Sequence, residues 1–147
     1  MGLNRKGFTL IELLAVIAIL AILIVLAVPN ILNIFNDSKD RALKTQAQSI
    51  YKAAEQRYMQ NSLNGKSILK YCNSGTDAGS NKLDLEGAGV AYYVEFNNTG
   101  KIVKVQVKES SDASARGVQV GNGTDAVDIN SINDATVATN ITLSSCN

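Results

Sequence analysis

The 147-residue sequence contains no histidine, one proline and two cysteines, and only 5% of its residues are aromatic. Without histidine there is no imidazole to act as general base or to complete a nucleophilic triad. Two cysteines alone do not make a zinc site. The glycine-rich stretch Gly121-Asn122-Gly123-Thr124 lacks the Gly-Lys-Ser/Thr that a phosphate loop requires, and reads as a turn. Asp125 and Asp128 stand in a Gly/Asn loop, but the D-x-D-x-D-G spacing of a calcium loop is missing, so a solvated loop is expected. Fourteen Lys and Arg against thirteen Asp and Glu give a net charge of +1, with no basic patch. Strong electrostatic binding of nucleic acid is therefore not indicated. The expectation is no enzyme, no metal and no cofactor, and no internal repeat is visible.

The chain does have a long apolar run near one end. From Phe8 to Val28 there are 21 residues, interrupted only by Thr9 and Glu12. As a helix this is about 31 Å, close to the roughly 30 Å hydrocarbon thickness of a bilayer. Arg5 and Lys6 precede it with no acidic residue, which holds that end in the cytoplasm and places the remainder of the chain outside. A cleaved secretory signal has a shorter apolar core ending in a small-residue site, and Leu26-Ala27-Val28-Pro29-Asn30-Ile31 offers no clear one. A core helix apolar on every side does not suit a chain of this length. A plain membrane anchor leaves Glu12 unexplained, since an ionisable residue in such a segment is costly and usually functional.

The run Gly7-Phe8-Thr9-Leu10-Ile11-Glu12 after a short basic leader resembles the N-terminus of type IV pilins and related pseudopilins. The resemblance implies that a prepilin peptidase cuts between Gly7 and Phe8, that the new Phe8 terminus is N-methylated, and that mature subunits assemble into a filament. Residues 1–7 would be the cleaved leader, 8–29 the transmembrane and filament-core helix, and 30–147 an extracellular domain. The implied partners are further copies of the chain, the peptidase, the inner-membrane assembly machinery, and the membrane before assembly. The subunit would begin as a single-pass membrane protein and end in a surface filament serving adhesion, twitching motility or aggregation. A pseudopilin of a secretion or DNA-uptake system shares the same N-terminal chemistry, and a membrane-anchored receptor domain that never polymerises is a third class.

The tasks that this resemblance implies have a physical reading. Cleavage before Phe8 creates an α-amino group that is largely protonated near neutral pH. Phe8 and Glu12 are four apart and share a helix face, so the carboxylate can pair with its own terminus or a neighbour's. In an apolar filament core only a matched pair is tolerable, and Glu12 would then set subunit register. Gly7 leaves the bond before Phe8 sterically open. Pro29, where the apolar segment gives way to polar sequence, marks either a membrane boundary or a hinge in the helix.

The remainder predicts an α+β fold. Leu32, Phe35, Leu43, Ala47, Ile50, Ala54 and Tyr58 form a stripe that continues the helix over 30–62, with Asp40 and Lys44 spaced as an ion pair. Asn64-Gly65 ends it. Over 63–147 a small antiparallel sheet with long loops is expected. Its hairpin comprises Gly89–Phe96 and Lys101–Lys108 around the Asn97-Asn98-Thr99-Gly100 turn, and Ile68–Tyr71, Val118–Val120 and Val137–Leu143 are further strands. Outside the cytoplasm Cys72 and Cys146 suggest a disulfide, the alternative being two buried thiols. Pilins commonly carry a C-terminal disulfide loop, usually shorter than this one. Asn-x-Ser/Thr triplets at Asn36, Asn97, Asn122 and Asn140 are no more than an Asn- and Thr-rich chain supplies by chance.

Overall fold

In the computed structural model, residues 7–73, 81–85, 89–112 and 114–146 are described; Arg5 and Lys6 lie outside them. Helix α1 (Leu10–Leu63) is followed by strands β1 (Lys70–Cys72), β2 (Ala91–Phe96), β3 (Ile102–Lys108) and β4 (Gly117–Val120). The one-turn helix α2 (Ser131–Asp134) and strand β5 (Val137–Ala138) complete the order. The fold is α+β, a long helix with a five-stranded antiparallel sheet in the order β1-β2-β3-β4-β5. The chain divides into two compact units, Met1–Lys39 and Asp40–Asn147.

In the first unit α1 has no protein cover. Leu13, Ile17, Leu20, Ile24 and Phe35 are all exposed, as are the other positions from Gly7 to Val28 and from Ile31 to Lys39. Leu32 and Phe35 thus do not join the buried stripe, which begins at Leu43.

In the second unit the period of the helix sets the core. Leu43, Ala47, Ile50, Tyr51 and Ala54 are buried with Tyr92, Val94 and Phe96 of β2, Val105 and Val107 of β3, Val118 of β4 and Ile132 of α2. Alternation along β2 and β3 supplies one apolar face to the helix. Tyr58 stacks on Phe96 at 4.5 Å between ring centroids, and Tyr71 meets the same ring edge-on. The helix stops as its sequence requires: Gly65 adopts φ +70°, the Lys66 amide donates to Asn61 O and the Gly65 amide to Ser62 O, closing a Schellman motif. The β2–β3 turn is held by Asn97, whose Oδ1 accepts from the amides of Thr99 and Lys101.

Three further expectations need correction. Asp40 does not pair with Lys44. It meets Arg116 at 2.7 Å, while Lys44 donates to Asn133 O at 2.7 Å, because both residues have closer partners across the fold. The Gly121–Asp134 connection between the expected strands, expected as one of the long loops, contains α2, which buries Ile132 against the core. The strand expected over Val137–Leu143 pairs with β4 only at Val137 and Ala138. Beyond that point the backbone is taken up by a side chain: Gln106 Nε2 donates to Thr142 O, and the Ser144 amide donates to Gln106 Oε1. The tail is thereby drawn off the sheet edge and onto a face. It ends at a disulfide between Cys72 and Cys146, with Cα atoms 6.2 Å apart.

Candidate functional site: the N-terminal segment

Gly7, Phe8 and Thr9 precede the first helical residue, so the Gly7–Phe8 bond lies in non-helical, exposed backbone. A side chain built on Gly7 would meet nothing within 4 Å. The fold itself therefore does not require glycine there.

Helix α1 begins with a reciprocal cap. Thr9 is the residue before the helix and Glu12 the third within it, the Ser/Thr-x-x-Glu arrangement of a capping box. The Thr9 amide and Thr9 Oγ1 both donate to Glu12 Oε2 at 2.8 Å, and the Glu12 amide donates to Thr9 Oγ1 at 3.3 Å. Two amides left without partners at the helix start are satisfied in this way, and the carboxylate sits where the helix dipole favours negative charge. The sequence expectation names Phe8 and Glu12 but not Thr9, although the Thr-x-x-Glu spacing carries the signal. One carboxylate oxygen takes both Thr9 donors, so the cap closes within a single helical turn. Leu10, Ile11 and Leu13 surround the cap and are exposed.

Pro29 lies inside α1, which continues through it. Among the described residues α1 is the one helix long and apolar enough to cross a membrane, and its apolar window is wholly unburied.

The second unit offers less. A cleft of about 390 Å³ is lined by Tyr51, Glu55, Lys101 and Asp128. The Tyr51 hydroxyl donates to Val127 O at 2.9 Å, and burial with the nearby Glu55 and Asp128 charges pushes its pKa up. Asp125 and Asp128 serve local turns, Asp128 Oδ1 accepting from the Asn130 amide at 2.7 Å. No cluster of three or more metal-ligating side chains occurs among the described residues.

A family model described as the prokaryotic N-terminal methylation motif matches residues 2–28. The chain thus carries the prepilin leader signature, that of a type IV pilin-like or pseudopilin-like protein, and with its long apolar helix this fits a membrane-anchored precursor. No curated protein and no solved structure matches the chain.

Proposed function

We propose that the chain is the precursor of a structural subunit of a type IV pilus. Prepilin peptidase would cut the Gly7–Phe8 bond, the Phe8 amine would be methylated, and the Phe8–Pro29 segment would pack with its counterparts in a filament core. The observation that carries this reading is the coincidence of the leader motif with an apolar helix exposed on every side. Such a surface is stable only in lipid or against other apolar helices. The accessible Gly7–Phe8 bond supports cleavage there, and a Gly7 that the fold does not itself need is accounted for by a peptidase that does.

Glu12 has two successive roles on this reading. In the precursor it caps its own helix through Thr9. After cleavage the Phe8 amine appears one residue from that cap, and Glu12 pairs with it or with the amine of a neighbouring subunit, fixing register. Membrane insertion is set by the apolar run and the Arg5/Lys6 flank, so it should survive substitution of Glu12. Glu12→Gln and Glu12→Ala chains should therefore fractionate with the membrane in normal amount yet yield few filaments. Normal filament yield from both variants would contradict the role given to Glu12. The domain Asp40–Cys146 would face solvent on the filament and carry adhesion, motility or aggregation.

A further inference from the structure

The sheet has two buried faces, and only one is accounted for by the helix. Cys72, Tyr93, Gln106 and Gln119 are directly opposite one another on β1, β2, β3 and β4, forming one transverse row. Cys72, Tyr93, Gln106 and the nearby Lys108 are each at most 2% exposed, yet none belongs to the cluster around α1. A glutamine and a lysine this deeply buried are uncommon, and require partners. Lys108 donates to Asp112 O at 2.7 Å. The partners of Gln106 are mostly in the tail.

The tail crosses the strands obliquely, from Gly117 beside this row onto Gln106 within it. Ile141 stands over Gly117 of β4, its Cδ1 3.3 Å from where a β-carbon on Gly117 would lie. At β3 the Gln106 amide donates to Thr142 O at 2.9 Å and accepts from the Ser144 amide at 2.8 Å. Its amide nitrogen also donates to Gln119 Oε1 at 2.7 Å, which fixes the plane of the amide. Lys104 adds a bond from Nζ to Ser144 Oγ at 3.0 Å. At β1 the row ends in the Cys72–Cys146 bond. Three strand spacings amount to about 14 Å, and five residues of extended chain, from 141 to 146, reach about 17 Å. The five residues are thus long enough to make the crossing.

One carboxamide bonding both the carbonyl of residue 142 and the amide of residue 144 reads backbone as a β-strand neighbour would, without demanding a particular side chain between them. That is the chemistry of a site for an extended peptide. We propose that the outer face of the sheet is a peptide groove read by Gln106, that its resident is this chain's own segment Thr139–Cys146, and that the Cys72–Cys146 bond is the latch keeping out the same segment of a second copy. Copies whose latch is open can then exchange tails and become covalently linked. This holds whether or not the protein forms filaments.

The test uses the full chain in detergent micelles with Cys146→Ser, which leaves the Cys72 thiol at the end of the groove. The probe is a synthetic peptide of residues 139–146, its cysteine carried as a mixed disulfide with glutathione. The Cys72 thiolate attacks the peptide sulfur; a Cys72–peptide bond forms, the peptide–glutathione bond breaks, and glutathione leaves as a thiolate that takes up a proton. No net oxidation occurs. Capture, followed by mass spectrometry, should be at least tenfold faster than for a scrambled peptide with the same C-terminal cysteine, and Gln106→Ala should remove the difference. An unreactive peptide with serine for its cysteine should slow capture. Equal rates for native and scrambled peptides would show Cys72 to be merely reachable and would overturn the groove, as would no capture while Cys72 still reacts with iodoacetamide. The same comparison in the wild-type chain after reduction decides the matter if the serine variant does not fold.

Discussion

The first 30 residues of helix α1 and its last 24 form one continuous element but obey opposite rules. Before Asp40 the positions from Gly7 to Val28 and from Ile31 to Lys39 are all exposed, although nearly all from Leu10 to Val28 are apolar. From Leu43 onwards the helix has a dry face and a wet one: Leu43, Ala47, Ile50 and Ala54 are at most 2% exposed, while Lys52, Glu55 and Gln56 face water. The amphipathic half is stabilised by its own chain. The uniformly apolar half is not, and needs a solvent or partner of its own kind. Burial within one chain thus separates the part that makes the fold from the part that the chain itself leaves uncovered.

Substitutions should divide along the same line, the largest effect falling on assembly. Glu12→Gln should lower sheared filament yield by on the order of tenfold or more, because the amine it would pair with is left alone in an apolar core. The thermal unfolding of the Asp40–Cys146 region should not move. A parallel fall in melting temperature would break the comparison. In the second unit the disulfide comes first. It closes a loop with a sequence separation of 74 residues, worth about 4.5 kcal/mol in the chain-entropy account. Denaturant unfolding of Cys146→Ser should lose a comparable amount. Ile50→Ala, at 1% exposure between helix and sheet, should cost about 2–5 kcal/mol, whereas Ile17→Ala should leave domain stability unchanged.

Two smaller effects sharpen the picture of the second unit. Burial pushes the phenols of Tyr51, Tyr71, Tyr92 and Tyr93 above their ordinary range. A group whose folded pKa is raised contributes fully below its unfolded pKa, about 10 for tyrosine, and loses that contribution as pH rises through the folded value. Unfolding free energy should therefore fall steeply above pH 10, and less so in Tyr93→Phe. Arg116 bridges Asp40 at 2.7 Å and Glu109 at 2.8 Å, at the surface. Solvent screening should hold the cost of Asp40→Ala below about 1 kcal/mol.

The parts legible in the sequence were those governed by local periodicity and terminal chemistry. The α1 stop at Asn64-Gly65 needed only a residue able to take positive φ, and the β2–β3 hairpin followed from alternation flanking Asn97–Gly100. The N-terminal methylation motif, matched over residues 2–28, was equally local, and Thr9 as the second half of the Glu12 cap was present in the same run. The illegible parts depended on distant partners. Residues 137–143 alternate like a strand, yet Gln106, more than thirty positions earlier, diverts them onto the sheet face. Asp40 and Lys44 have helical ion-pair spacing, yet Arg116 and Asn133 reach them first. Gly121 is, by sequence, one turn glycine among several. Its φ of +83° and the 2.2 Å that would separate a β-carbon from Val103 O show that no side chain fits there.

The most direct test is mass spectrometry of the N-terminal peptide from filaments sheared off the cell surface. The account predicts a chain beginning at Phe8 with a methylated amine. A chain still beginning at Met1, with residues 1–7 attached, would contradict it.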